Sequence, residues 1–206
     1  MATAGPRPGS SLQPAFSGVE SFTDAEVMLR VKAGDESAFD FLVQKYRRPL
    51  VSFMYRMARN TAAAEDLAQE VFLRVYRSRG SYEPTAKFTT WLFRIATHLA
   101  LNSLRDGKHR RMEGHLDDDS SETPVRQVSD QRPTVEQRML HQSRMEEIRR
   151  AVATLPEKQR AAVLMHKYDE MEYSQIAKVL NCSESAIKSL LFRAYETLRA
   201  RLAHMA

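Results

Sequence analysis

Apolar residues recur along most of this chain three and four positions apart, the spacing of one helix face, and nowhere with the alternation of a strand. Thr23 and Glu26 stand in the S/T-x-x-E spacing of a capping box, which predicts a short helix from Asp24 to about Ala33, stopped by Gly34. Asp35 is placed to cap a longer second helix. There Phe39, Leu42, Val43, Tyr46, Leu50, Phe53, Met54 and Met57 form one stripe, and Pro49 is expected to kink it. Thr61 is placed to cap a third helix, with Leu67, Ala68, Val71 and Val75 on its apolar face, ending near Gly80. A polar loop from Ser81 to Lys87 contains Pro84. A fourth helix is predicted from about Thr89 to Arg105, with Trp91, Leu92, Ile95 and Leu99 inward.

The pattern then breaks. From Glu113 to Thr134 there are six acidic residues, two basic ones, two prolines and few apolar residues, which reads as an acidic linker. Arg105, Lys108, Arg110 and Arg111 form a basic cluster just before it. Thr134 and Gln137 repeat the capping spacing. Met145, Ile148, Val152 and Leu155 continue the stripe, and Pro156 suits the first turn of the next helix, which carries Val163 and Leu164. A short helix from Tyr173 to Leu180 precedes a tight break at Asn181-Cys182-Ser183, with Asn181 tolerant of a left-handed backbone. Ser183 then caps a last helix with Ile187, Leu191, Ala194, Leu198 and Leu202 inward. The predicted fold is all-α. It comprises a tail over 1–20, an N-terminal helical bundle domain over 21–112, a flexible acidic linker over 113–133 and a C-terminal helix-turn-helix domain over 134–204.

Composition narrows the functional classes. The 206 residues are 43% hydrophobic, enough for a core, and the first twenty hold three of the eight prolines and three of the seven glycines, as a flexible tail would. A formal charge of +5 permits a nucleic-acid partner without requiring one. One cysteine, Cys182, excludes a disulfide framework and a cysteine-based zinc site, and reads as a small packed residue. The six histidines, at 98, 109, 115, 141, 166 and 204, lack metal-ligand spacing, and there is no P-loop or paired-carboxylate constellation. No metal, cofactor or catalytic residue is expected. No apolar run is long enough for a membrane span, and no signal pattern opens the chain, so a cytoplasmic location is expected.

The segment from Tyr173 to Leu202 has the rhythm of a helix-turn-helix, or equally of a plain helical hairpin with a solvated face. In the first case the second helix enters the major groove, presenting Glu184, Ser185, Lys188, Ser189, Phe192 and Arg193. Lys188 and Arg193 suit phosphates or guanine edges, Ser189 either kind of group, and Phe192 a thymine methyl.

These residues resemble a known family. Leu155-Pro156-Glu157-Lys158-Gln159-Arg160, Tyr173-Ser174-Gln175-Ile176-Ala177, Ala186-Ile187-Lys188-Ser189 and Arg193-Ala194 look like the C-terminal DNA-binding domain of bacterial sigma factors. Independently, the run from Ala64 to Phe72 (AEDLAQEVF) and that from Phe88 to Ala96 (FTTWLFRIA) look like the domain that binds core polymerase and melts the promoter. Two such domains and no others is the layout of the extracytoplasmic-function group. The resemblance covers about Asp24 to Leu202 and implies a non-enzymatic promoter-specificity subunit. Its partners would be core RNA polymerase, promoter DNA as duplex and melted strand, and a cognate anti-sigma factor.

The resemblance also implies sites. Asp66, Gln69 and Glu70 share one helix face and would dock on a coiled coil of the largest polymerase subunit, an acidic face suited to an arginine-rich partner. Tyr82, Lys87 and Phe88 would capture a flipped base of the minus-ten element, while Arg94, His98 and Arg105 follow the strand. Ser185, Lys188, Ser189, Phe192 and Arg193 would read the minus-thirty-five element. His98 stands where some members carry Asn. Glu172 replaces the usual capping Ser, and Leu190 and Tyr195 stand where basic residues are common. The two promoter elements lie roughly 60–80 Å apart at about 3.4 Å per base pair. A tether of some twenty residues spans at most about 70 Å at ~3.3 Å each, so with the width of the domains one chain reaches both. A dimeric helix-turn-helix regulator is the main alternative, opposed by the N-terminal motifs, and an enzyme acting on nucleic acid ranks last.

Overall fold

The computed structural model describes residues 22–112 and 135–205; the expected tail over 1–20, the expected linker over 113–133 and the expected cap Thr134 lie outside them. Among the described residues there are eight α-helices and no strand. They are α1 (Asp24–Lys32), α2 (Glu36–Ala58), α3 (Thr61–Arg77), α4 (Phe88–Met112), α5 (Val135–Ala153), α6 (Glu157–Lys167), α7 (Tyr173–Leu180) and α8 (Glu184–Leu202), with short 3-10 turns at Arg79–Ser81 and Ala203–Met205.

Local chemistry sets most of the boundaries. The Thr23 hydroxyl and the Glu26 carboxylate cap α1 reciprocally, and Asp35 Oδ1 accepts from Ala38 N at 3.1 Å to open α2. Helix α2 runs through Pro49 as one element. It ends at Arg59, whose backbone is left-handed (φ 57°) and whose N–H donates to Tyr55 O at 2.7 Å. Thr61 does not cap α3, contrary to expectation. Asn60 does, because its side-chain oxygen reaches Ala63 N at 2.8 Å, and Thr61 becomes the first helical residue. Helix α4 continues seven residues past the expected Arg105, so the basic cluster belongs to its last turns. Asn181 (φ 52°, ψ 56°) makes the expected left-handed turn between α7 and α8, and the Ser183 hydroxyl accepts from Ala186 N at 3.2 Å.

Helices α1 to α4 form one bundle and α5 to α8 a second, but a single cluster of buried apolar residues runs through both. Helix α4 is the element they share. It packs on α2 and α3 on one side and on α6 and α7 on the other. Between Phe88 and Arg105 its only exposed side chains are Arg94, His98, Asn102 and Arg105. Those four positions fall on one ridge, so the helix shows solvent a narrow, basic edge.

Candidate nucleic-acid interface

The ridge of α4 borders a cleft. Arg94 and His98 face Arg74, Arg77 and Ser78 from the C-terminal end of α3 across a space of about 530 Å³, floored by Trp91 and Ile95. Three guanidiniums and an imidazole line it, with no carboxylate among the lining residues, so it attracts a polyanion. Arg74 also pairs with Glu70 one turn back, Nε to Oε1 at 2.8 Å. Trp91 is half-buried, packed edge-on to Tyr82 at 5.0 Å between ring centroids. It is thus both a core residue, as its spacing suggests, and a wall of the cleft.

Of the three loop residues expected at the minus-ten strand, only Lys87 is exposed. Tyr82 and Phe88 are 1% and 2% exposed. Phe88 packs against Tyr46 and Trp91 with centroids 5.4 and 6.1 Å away, closing an aromatic cluster beneath the loop. Lys32 Nζ donates to Tyr82 O at 2.9 Å and ties the loop to α1. Burial pushes the Tyr82 hydroxyl above the usual tyrosine range, and it has no hydrogen-bond partner among the described residues. The Tyr46 hydroxyl is shifted the same way, by burial and by donating to Asp24 Oδ2 at 2.6 Å. Lys87, Arg94, His98 and Arg105 are therefore the solvent-facing members of the predicted set, and Arg74 and Arg77, which were not in it, line the same cleft as Arg94 and His98. Their signal was present: two arginines three apart, off the apolar stripe of α3.

On α3 the predicted face holds Asp66 and Gln69 exposed and Glu70 half-buried. Beside it, α2 and α3 enclose an apolar groove of about 650 Å³. Phe39, Val43, Val51, Phe72 and Tyr76 form its floor, Leu73 stands 49% exposed at its side, and Glu36, Asp40, Glu65 and Gln69, with the one cation Arg47, line its rim. An apolar trough with a mostly acidic rim is a seat for an amphipathic helix carrying basic flanks. Of this lining the sequence pointed to Gln69 alone as a docking residue; Asp66 and Glu70 are not part of it, and Phe39 and Val43 read equally well as core.

In the C-terminal half, Ser185, Lys188, Ser189, Phe192 and Arg193 are all exposed and follow one face of α8. Phe192 is 66% exposed on this face. The Ser189 hydroxyl and Arg193 Nε donate to carbonyls one turn back, Ser185 O at 3.1 Å and Ser189 O at 3.2 Å, so both lie along the helix. Leu190 and Tyr195 are half-buried against the core, which accounts for apolar residues there. At Glu172 the missing cap is made good from the other side: Gln175 Oε1 accepts from Glu172 N at 2.9 Å. Among the described residues no cluster of His, Cys, Asp or Glu is arranged to hold a metal, and no helix is long and apolar enough to cross a membrane.

An exposed recognition helix behind a short helix and a left-handed turn, on a chain whose other half carries a basic cleft and an apolar docking trough, defines a DNA-reading protein that works with a partner. The family follows from comparison with known proteins. The chain matches the models for Sigma-70 region 2 over residues 42–110 and Sigma-70 region 4 over residues 145–198. It is 30% identical over 180 residues to the RNA polymerase sigma-H factor of Pseudomonas aeruginosa, covering 85% of this chain and 91% of that protein. It is 30% identical over 174 residues to the ECF RNA polymerase sigma factor SigW of Bacillus subtilis, covering 84% and 93%. Its fold is similar to that of CnrH solved with the cytosolic domain of CnrY (TM-score 0.64, 21% identity, 89% of this chain and 99% of that one). It is also similar to the sigma factor RpoE of Bartonella quintana solved with the anti-sigma factor NepR (TM-score 0.63, 19% identity, 80% and 96%). The chain belongs to the extracytoplasmic-function group of the sigma-70 family, and its function is to direct promoter-specific transcription initiation.

Proposed function

We propose that three exposed faces of this chain divide the work of initiation. The α2–α3 groove with Asp66, Gln69 and Glu70 docks core RNA polymerase. Lys87, Arg94, His98 and Arg105 hold the melted minus-ten strand, and Arg74 and Arg77 belong to the same surface. Ser185, Lys188, Ser189, Phe192 and Arg193 read the minus-thirty-five duplex in the major groove. The domain limits taken for this division are 21–112 and 134–204. The observation that carries the reading is the separation of chemistries: an acid-rimmed apolar trough, a carboxylate-free basic cleft and a mixed polar-aromatic helix ridge lie on different faces.

Each face suits its assigned ligand. Arginines and a histidine beside Trp91 offer charge to phosphates and an aromatic edge to unstacked bases. Tyr82 and Phe88, being buried, act by bracing the 83–87 loop from below, so that a flipped base meets a preformed surface rather than a mobile one. Lys188 and Arg193 supply phosphate or guanine contacts once Arg193 leaves its own helix. The protein has no catalytic step of its own, acts in the cytoplasm, and is held in check by a cognate anti-sigma factor. The last point takes its support from the resemblance and from the Bartonella quintana sigma factor solved with such an inhibitor.

The test is co-purification. The triple variant Asp66→Ala, Gln69→Ala, Glu70→Ala should stay folded, since none of the three is buried, and should lose core polymerase. Retention of polymerase by the triple variant overturns the docking assignment.

A further inference from the structure

The basic cleft beside α4 holds more positive charge than a passing strand needs. Arg74 and Arg77 from the end of α3 and Arg94 from α4 converge on one space of about 530 Å³, with the His98 imidazole at its side. A nucleic-acid strand brings one phosphate charge per nucleotide. Three guanidiniums around so small a volume match a ligand whose phosphates are bunched, and each planar fork can grip phosphate oxygens in pairs. Counter-charge is scarce. Glu70 pairs with Arg74 at 2.8 Å, but Arg77 and Arg94 have no ion pair among the described residues. The neighbouring Arg79 is turned away, with its guanidinium over the Tyr76 ring at 3.9 Å and Nη1 donating to Tyr76 O at 2.7 Å.

The floor is aromatic and fixed. Trp91 is the only tryptophan in the chain. Tyr82 and Phe88 hold it from beneath, with ring centroids 5.0 and 6.1 Å away, so it stands in place before any ligand arrives. Ile95 extends this apolar base. A preformed concavity of this volume, apolar at its base with a few convergent polar groups at its walls, has the build of a small-molecule site.

We propose that the cleft between the C-terminal end of α3 and the outer ridge of α4 binds a free nucleoside polyphosphate, its phosphates on Arg74, Arg77 and Arg94 and its base against Trp91. Bunched charge on the arginines and a stacking surface beside them are the two halves of that recognition. A nucleotide in the cleft excludes a promoter strand from it, so the free chain is held off melted DNA while nucleotide is bound. That consequence rests on the strand assignment above; the binding itself does not.

The experiment uses the full-length protein and magnesium-free ATP at about physiological salt, where diffuse surface attraction is screened. Trp91 is the reporter, excited at the red edge of its absorption where adenine does not absorb. A saturable change in its emission is expected. Adenosine and inorganic tripolyphosphate should each bind about tenfold or more weakly than ATP, since each lacks one half of the contacts. Arg77→Ala combined with Arg94→Ala should weaken ATP by about tenfold or more, the loss of at least one charge-assisted hydrogen bond. Both side chains are exposed, so the double variant should keep its helical circular dichroism. Arg201→Ala, an exposed cation near the end of α8, should bind ATP as the parent does. Titration calorimetry with ATP repeats the measurement without the reporter.

Absence of saturable binding by both methods overturns the proposal. So does tripolyphosphate binding as tightly as ATP, because the base then plays no part. Unchanged ATP affinity in the double variant overturns the location. Failure of the sigma reading shows elsewhere: a parent protein that gives no promoter-dependent transcripts with core polymerase would sink that reading, while the titration would still report the nucleotide site.

Discussion

At the residue scale, Asp169 is the group most at odds with its surroundings. It lies in the turn between α6 and α7, and burial pushes its carboxyl from the usual 3.8 up to about 7, with the Arg56 guanidinium pulling weakly the other way. One of its oxygens, Oδ2, has no hydrogen-bond partner among the described residues. The folded chain therefore holds a proton that the unfolded chain releases near pH 4. Its stability falls as pH rises from about 4 to about 7, and the full penalty applies above that. Asp169→Asn should raise the urea midpoint at about pH 8 and change it little at about pH 4. An equal change at both pH values would show that this carboxyl is not the cause. Arg74 and Arg77 make the second residue-scale prediction. If both contact phosphates, replacing them with Ala should weaken binding of a single-stranded promoter oligonucleotide by the polymerase-bound protein. The slope of log affinity against log salt should fall by about 0.7 for each arginine removed. An unchanged slope would remove them from the DNA path.

Residue type and residue exposure were legible to different degrees. Lys188, Phe192 and Arg193 could be placed on an outer face from spacing alone, since the apolar stripe of α8 leaves no doubt which side is inward. Tyr82 and Phe88 could not. They flank a loop, where no period says which way a ring points, and an aromatic there suits a base pocket as well as a core. The fold puts both rings into one cluster with Tyr46 and Trp91.

At the scale of the element, α8 and α3 carry the sharper expectations. Changing Lys188 or Arg193 to Ala should cost about 1–3 kcal/mol at particular promoters for a base contact, or weaken all duplexes evenly for a phosphate contact. Binding to a panel of minus-thirty-five variants separates the two, and no effect on any of them would mean the recognition helix is misplaced. On α3, Asn60→Ala should cost about 1 kcal/mol of stability, the usual worth of an N-cap, while Thr61→Ala should cost less. Urea unfolding of the two variants compares them directly, and a larger loss at Thr61 would contradict the capping geometry. Helix identities were readable because Gly34, Asp35, Pro156, Asn181 and Ser183 punctuate a continuous apolar rhythm. The error at Asn60 arose because Asn60 and Thr61 are both good caps, and the backbone decides between them: Asn60 is extended (φ −134°, ψ 126°) while Thr61 is already helical.

At the scale of the molecule, the sequence marked two helical halves and an acidic segment between them, but not that the halves meet. The residues of the meeting surface explain why. Arg56, Arg59, Glu146 and Arg160 read as solvated charge, and Thr90 and Thr97 as incidental polar positions on a buried helix. Nothing in a single sequence says that Arg160 will find the carbonyl of Met57, 103 residues away. The N-terminal motifs and the helix-turn-helix were each recognisable alone because each rests on short-range pattern, whereas their packing rests on contacts across the whole chain.

The central claim is that this chain gives core polymerase a promoter specificity it otherwise lacks. The most direct measurement is in vitro transcription from a pool of bacterial promoter fragments, using sigma-free core RNA polymerase with and without the protein. New transcripts from defined start sites, appearing only with the protein and sharing two upstream elements at fixed spacing, are the predicted result. Absence of transcripts, with tight duplex binding by the protein alone, would contradict it and return the chain to the class of ordinary helix-turn-helix regulators.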